Sequence, residues 1–340
     1  MNKVVTFGEL MMKLSPLGYS RFVQCHQFNV EYSGAEANVA VALSNFGVPT
    51  VFVSALPGNE IGDAAINALR HYGVDTSEVI RKEGRMGIYF AEKGASQRPS
   101  KVIYDRSYSS ISMTEVSEFD WDKLFEGASW FHFTGITPAL SDTLTSICLL
   151  ACQTAKAKGL TVSCDLNYRS KLWPNEKAGR VMSQLCEYVD VCIANEADAA
   201  DVFGIYANGS EVDNGLIETA SYVEVARQLI ERFGFQTVCI TLRESISASD
   251  NNWSAILYEG GNVYRGKKYH IHIVDRIGGG DSFAAGLIYA RLNNYGLQHA
   301  LDFAIAASCL KQTIEGDFNL VSVAEVEELV KNNGTGRIHR

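Results

Sequence analysis

The sequence predicts an α/β fold: a doubly wound, mostly parallel sheet carrying a small inserted β-sheet. Three observations predict it. Short apolar runs alternate with helical segments along nearly the whole chain. Those runs are continuously apolar rather than alternating, as strands covered on both faces must be. Two stretches, 10–32 and 85–112, break the alternation. Strand–helix repetition of this kind packs as a parallel sheet between helix layers.

The first strand covers residues 4–7 and ends at Gly8. A helix follows over 34–46, with Ala37, Ala40 and Ala42 small enough for close packing, and Gly47-Val48-Pro49 stops it. The next strand and helix are 50–55 and 61–71. Residues 10–32 carry polar and aromatic side chains without a helical period. Within 85–112, the strand-like runs 86–91 and 101–106 flank a polar turn at 94–100. Together these segments predict a small antiparallel sheet, and an insertion that returns to the same core suits a lid. Further strands are expected at 130–133, 160–164, 189–194 and 237–241. Their helices are 142–158, 176–186 and 221–233. Residues 208–215 form a polar loop. A last strand, 269–274, runs into a glycine-rich turn, and a helix over 281–292 runs out of it. The expected division is an α/β core (1–9, 33–84 and 113–331), a β-sheet lid (10–32 and 85–112) and a C-terminal tail (332–340).

Composition narrows the function. Of 340 residues, 46% are hydrophobic and 20% charged, which suits an ordinary globular protein. The net charge is −9 and no Lys/Arg run exceeds two residues, so the basic footprint of a nucleic-acid binder is absent. An anionic substrate would need a local basic pocket on such a surface. The longest weakly polar stretch, 143–155, is too short to span a bilayer. The N-terminus lacks a signal peptide's apolar region. Eight cysteines sit mostly in apolar runs, with no CxxC and no metal-site spacing. They read as reduced core thiols of a cytoplasmic protein.

The strongest chemical signal is Asp275-Arg276-Ile277-Gly278-Gly279-Gly280-Asp281-Ser282-Phe283. Three glycines at a strand-to-helix turn leave backbone N–H groups unshielded where the helix dipole is positive, which makes an anion hole. Asp281 in the first turn can take a proton from an attacking hydroxyl. The alternative is a plain glycine turn with Asp281 as the helix N-cap. The run is not a Walker A loop, and Phe283 stands where GxGxxG needs its third glycine.

This stretch resembles the D-T-x-G-A-G-D signature of the ribokinase-like (PfkB) sugar kinases, with Arg276 for Thr and Gly279 for Ala. Ser33-Gly34-Ala35-Glu36-Ala37-Asn38-Val39-Ala40 resembles the family's G-G-x-x-x-N-x-A element at the sugar site. Pro57-Gly58-Asn59-Glu60-Ile61-Gly62 resembles its G-x-D-x-x-G turn. Asn195-Glu196-Ala197-Asp198 resembles its N-x-x-E magnesium motif. The resemblance spans residues 3 to 330. It implies a ribokinase-like fold, ATP and Mg²⁺ as cofactors, a small-molecule sugar as the other substrate, and a homodimer formed through the lid.

Three segments resemble the 2-keto-3-deoxygluconate kinases within that family. They are 87–106, with Tyr89, Arg98, Tyr104 and Arg106; 165–173, with Arg169 and Lys171; and 310–319. A sugar acid carries a carboxylate that must be paired when desolvated, and an arginine fork suits it. Arg106 and Arg169 are therefore the expected carboxylate partners. Arg106 could instead pair with Asp105 or Glu36, and Arg169 with Asp165. Gly34, Asn38, Tyr89 and Tyr104 are expected at the sugar hydroxyls, although the tyrosines also suit a lid core.

Asp281 is the expected base, with Gly278, Gly279 and Gly280 holding the developing charge. The resemblance assigns Asn195, Thr241, Arg243, Gly278, Gly280 and Ser308 to the nucleotide, with adenine near 245–247 and 306–311. It assigns Mg²⁺ to Asn195 and Asp198 through water. Relatives often carry a glycine after the Thr-Leu pair. Here Arg243 stands in its place, so the backbone cannot approach a phosphate and the side chain would have to. The expected reaction is transfer of the γ-phosphoryl of ATP to O6 of 2-keto-3-deoxy-D-gluconate. The alternatives are a kinase of a neutral sugar or nucleoside, and a non-catalytic sugar-binding protein on the same scaffold.

Overall fold

The computed structural model describes residues 3–207 and 219–332. The chain begins with β1 (Lys3–Phe7), leaves the core as β2 (Met11–Pro16) and β3 (Phe28–Ser33), and returns as α1 (Ala35–Asn45), β4 (Thr50–Pro57), α2 (Glu60–His71) and β5 (Val79–Lys82). It leaves again as β6 (Gly87–Glu92) and β7 (Lys101–Asp105). The core resumes with a short α3 (Trp121–Leu124), β8 (Ala128–Thr134), α4 (Asp142–Ala157), β9 (Thr161–Asp165), α5 (Asn175–Cys186), β10 (Val191–Ala194), α6 (Asp198–Phe203), α7 (Thr219–Phe233) and β11 (Thr237–Ser245). Last come β12 (Asp250–Glu259), β13 (Asn262–Arg265), β14 (Tyr269–His272), α8 (Gly279–Leu292), α9 (Leu297–Lys311) and α10 (Val323–Asn332).

The large sheet runs β13-β12-β11-β10-β9-β8-β1-β4-β5, with β14 paired to β12. Every pairing from β11 to β5 is parallel. Apolar clusters fill both faces. Phe7, Phe131, Phe133 and Leu144 pack on one side; Val4, Phe283, Leu287 and Phe303 pack on the other. β4 is buried along its whole length, the signature of a strand covered on both faces. Seven of the eight free cysteines are buried in this core. Among the described residues, no helix is long and apolar enough to cross a membrane.

The core beyond β11 departs from expectation. β12 and β13 add an antiparallel extension that the sequence reading left out, and β14 ends at His272, antiparallel to β12. β12 opens with the polar run Asp250-Asn251-Asn252, which hides its alternating buried pattern. The lid is a separate sheet in the order β3-β2-β6-β7. It is mixed rather than antiparallel, because β2 and β6 pair in parallel. Both leave the core from the ends of parallel strands, β1 and β5, and so enter the lid in the same direction. The lid rests on the core at its turn. The Ser96 amide donates to Ser249 Oγ at 2.9 Å, and the Ala248 amide to the Ser96 carbonyl at 2.7 Å. Phe28, Val30 and Ile103 are exposed on this sheet. Asn332 belongs to α10 rather than to a tail. The loop at 208–215 and residues 333–340 lie outside the described residues.

Candidate active site

Strand order reverses between β1 and β8, since the chain builds toward β4 and β5 first and toward β9, β10 and β11 later. Open α/β sheets bind ligands in the crevice at such a switch point. A cavity of about 350 Å³ lies there. Its floor comes from the ends of the core strands, through Glu9, Asp165, Asn195, Glu196 and Thr241. The first turn of α8 forms one wall, and Tyr89, Tyr104 and Arg106 of the lid form the roof. Gly34, Asn38, Arg169, Arg243, Gly278, Gly279, Gly280 and Asp281 border the same space. Asp198 and Ser308 do not.

The glycine turn begins the helix two residues earlier than expected. Gly278 is the N-cap and Gly279 the first helical residue, so Asp281 is the third residue of α8 and not its cap. Gly278 has φ +82°, and a side chain there would meet the Asp317 carbonyl at 2.1 Å. Only glycine fits on both counts. The first amides of a helix have no intrahelical acceptor; here residues Gly278, Gly279 and Gly280 border the cavity, and the Gly279 amide donates to the Arg276 carbonyl at 3.4 Å. The Ser308 hydroxyl donates to the Gly279 carbonyl at 2.7 Å from a fully buried position. It braces the turn from a position that does not border the cavity. Residues 306–309 and 311 are likewise buried in α9, and none borders the cavity.

Asp281 accepts a hydrogen bond from Asn38 Nδ2 at 2.6 Å. Asn38 in turn accepts from Ser33 Oγ at 3.3 Å, so this asparagine orients the carboxylate as well as lining the sugar side. Burial pushes the Asp281 carboxyl up to about 7. The Asn38 hydrogen bond and Arg169 oppose the rise, and Glu36 and Asp317 add to it. Glu36 is itself raised by burial. It accepts from the Thr134 amide at 3.0 Å, Thr134 Oγ1 at 2.7 Å and Thr137 Oγ1 at 2.8 Å. A carboxyl that titrates near neutrality suits a general base.

Behind the turn lies a buried charge network that the sequence reading missed. Lys13, 2% exposed, meets Asp317 at 2.5 Å, Glu31 at 2.9 Å and Asp275 at 3.4 Å. Asp317 also accepts from Ser33 Oγ at 2.5 Å and from the Tyr89 hydroxyl. Burial alone would raise Asp317, but Lys13 and these hydrogen bonds outweigh it and hold the carboxyl low. Lys311 is fully buried, with an ammonium lowered by desolvation, and donates to the Asp275 carbonyl at 3.0 Å. Two buried cations therefore hold Asp275 at the entry of the glycine turn, and Lys13 also holds Asp317.

At the sugar end, Arg106 is not paired with Asp105 or Glu36. Its Nε donates to Glu9 Oε2 at 2.7 Å, with Nη2 on the same oxygen. Asp105 meets Arg85 instead, at 2.5 Å. Glu9 Oε1 is a buried acceptor with no partner, at the cavity edge. Arg169 is exposed, donates to the Tyr168 carbonyl at 2.9 Å, and forms no ion pair with Asp165. It is the more available of the two arginines. Tyr89 is buried and bound to Asp317. Tyr104 is 40% exposed, and Arg106 lies 5.5 Å over its ring.

The residues expected to hold magnesium are otherwise engaged. Asp198 is buried, and its two oxygens accept from the Tyr168 amide at 3.1 Å and the Asn195 amide at 2.8 Å. Asn195 Oδ1 accepts from the Ala197 amide at 2.7 Å and the Asp198 amide at 3.1 Å. The motif thus builds the loop after β10. Asp165 borders the cavity, and burial raises its carboxyl strongly, with Asp198 and Asp281 adding to the rise. A hard cation would relieve that crowding. Among the described residues, no cluster of three ligands forms a closed metal cage. A sparse oxygen donor set fits Mg²⁺ that arrives already bound to phosphates. On the nucleotide side, Thr241 Oγ1 donates to the Ala194 carbonyl at 3.3 Å, and Arg243 meets Glu196 at 3.0 Å.

The family model described as pfkB family carbohydrate kinase matches residues 1–320. A 2-dehydro-3-deoxygalactonokinase of Haloferax volcanii is 34% identical over 334 residues, covering 98% of this chain and 98% of that protein. A 2-dehydro-3-deoxygluconokinase of Bacillus subtilis is 27% identical over 318 residues, 93% of this chain and 91% of that one. The crystal structure of 2-dehydro-3-deoxygluconokinase from Thermotoga maritima superposes with a TM-score of 0.94 at 50% identity, covering 98% of this chain and 100% of that chain.

Proposed function

The chain belongs to the pfkB family of carbohydrate kinases, and on that premise we propose that it transfers the γ-phosphoryl of ATP to O6 of 2-keto-3-deoxy-D-gluconate. The product is 2-keto-3-deoxy-6-phosphogluconate. The observation that carries this reading is the pairing, in one cavity, of a carboxyl poised near neutrality with an arginine that has no carboxylate partner. The 50% identity to the Thermotoga protein favours the gluconate-derived acid over its galactonate epimer. A neutral sugar would leave Arg169 without a carboxylate at ion-pair distance among the described residues.

Arg169 receives the substrate carboxylate, beside the Arg106–Glu9 pair. The unpartnered oxygen of Glu9 accepts from a substrate hydroxyl. Asn38 holds the Asp281 carboxylate toward O6. Asp281 takes the O6 proton as the oxygen attacks the γ-phosphorus and the bond to ADP breaks. The first turn of α8, through the amide of Gly280, stabilises the charge that develops on the phosphoryl oxygens. Mg²⁺, held with the phosphates on the Asp165 side, would neutralise part of the triphosphate charge.

Removing a charge-assisted contact costs about 1.5–3 kcal/mol. Arg169→Ala is therefore expected to raise KM for the keto acid about 10- to 150-fold. KM for ATP should stay within about twofold. Steady-state kinetics with each substrate varied in turn reads both. An unchanged KM for the acid would move its carboxylate away from Arg169.

A further inference from the structure

We propose that Arg276 is a further catalytic residue: with Arg243 it forms a two-guanidinium clamp on the γ-phosphoryl group as that group crosses the glycine turn. The proposal rests on the kinase reading above and goes beyond it, since neither the family signature nor the sugar end requires an arginine at this position.

Both side chains border the cavity, and Arg276 also borders a smaller cleft beneath the lid residues Ala91, Lys101 and Val102. Arg243 comes from β11 and has a carboxylate partner, Glu196, at 3.0 Å. Among the described residues, Arg276 has no ion pair. The one hydrogen bond that its side chain makes among the described residues is a long one, from Nη2 to the Ala248 carbonyl at 3.4 Å. The Nε atoms of both arginines are buried without a hydrogen-bond partner. A desolvated guanidinium donor left unmade is costly, and it recurs here on two adjacent cations. Burial lowers the Arg276 pKa, and the neighbouring Arg243 lowers it further. Glu196 balances Arg243, and Asp275 offsets part of the repulsion at Arg276; an anion bound between the two guanidinium groups would relieve the rest.

Position identifies the anion. Arg276 stands two residues before Gly278, on the loop whose next amides open α8. The group those amides receive is flanked by Arg276. In a phosphoryl transfer that group is the γ-phosphoryl, with its charge spread over three oxygens. The O6 lone pair forms the new P–O bond, the bond to the ADP oxygen breaks with its electron pair, and the O6 proton passes to Asp281. Arg276 moves no proton. It holds the equatorial oxygens by a planar fork that a lysine cannot reproduce.

The test is calorimetric binding of MgATP and MgADP without sugar, to the wild type, Arg276→Gln and Arg276→Lys. Arg276→Gln is expected to weaken MgATP about tenfold or more and MgADP less than about twofold. Arg276→Lys should recover only part of the loss. Added guanidinium should partly restore kcat to Arg276→Ala, and a purely structural arginine would not allow that. Equal weakening of both nucleotides, or none, overturns the clamp. Because no sugar is present, an error in the acid substrate leaves this result intact. A wild type that binds neither nucleotide would overturn the kinase reading, and the clamp with it.

Discussion

Replacing Asp281 with asparagine is expected to lower kcat by about 10³-fold, while KM for the sugar acid stays within about threefold. Asparagine keeps the shape and the Asn38 contact but has no proton-accepting carboxylate. The effect should therefore fall on the chemical step alone. The pH dependence follows from the same group. Its carboxyl is raised to about 7, so the active anion is lost as pH falls through that value. The kcat/KM of the wild type should rise tenfold per unit below about pH 7 and level off above it. The asparagine variant's residual activity should lack that limb. A variant that keeps more than a tenth of wild-type kcat would remove Asp281 as the base.

Lys13→Met is expected to cost about 3–5 kcal/mol of stability, the range for stranding a buried charge by deleting its partner. Methionine matches the volume of the stem, yet removes the ammonium that contacts the Asp317 and Asp275 carboxylates, leaving only the longer-range field of Lys311. The sign with pH is fixed by two groups. The lowered Asp317 contributes stability above the ordinary aspartate range, lost as pH falls through its depressed value. The raised Lys13 contributes below the ordinary lysine range, lost only as pH rises through its elevated value. The deficit of Lys13→Met should thus be full at neutral pH and shrink in acid. Denaturant melts at pH 7.5 and pH 3 measure it. A neutral-pH loss below about 1 kcal/mol, the scale of a solvated surface pair, would show that the network is not a desolvated one.

What the sequence disclosed follows the range of each interaction. Core strands such as β1 and β4, and helices such as α4 and α5, were legible because their apolar runs and caps are local. Ser141 caps α4 through the Leu144 amide, and Asn59 caps α2 through Gly62. The glycine turn was legible because its chemistry lies in consecutive residues. The antiparallel extension was not, since β12 opens polar and shows its alternation only once a partner strand defines its faces. Side-chain partners across the chain were least legible. Lys13 and Asp317 are 304 residues apart, and Glu9 and Arg106 are 97 apart. Arg106 therefore read as an available cation, and Asp198 as a metal ligand, although backbone amides already hold both Asp198 oxygens. Glu9 carried no local signal beyond its charge, and Asp165 and Arg276 lay within recognised segments without a role at the site. Only the closing of the crevice brings them to one cavity.

The most direct measurement is coupled ADP release with MgATP across 2-keto-3-deoxygluconate, its galactonate epimer, ribose, fructose and adenosine. The expected result is turnover confined to the two keto acids, with the higher kcat/KM for the gluconate-derived acid. Turnover with a neutral sugar alone would contradict the account, returning Arg169 and the Arg106–Glu9 pair to structural duty while keeping Asp281 and the fold.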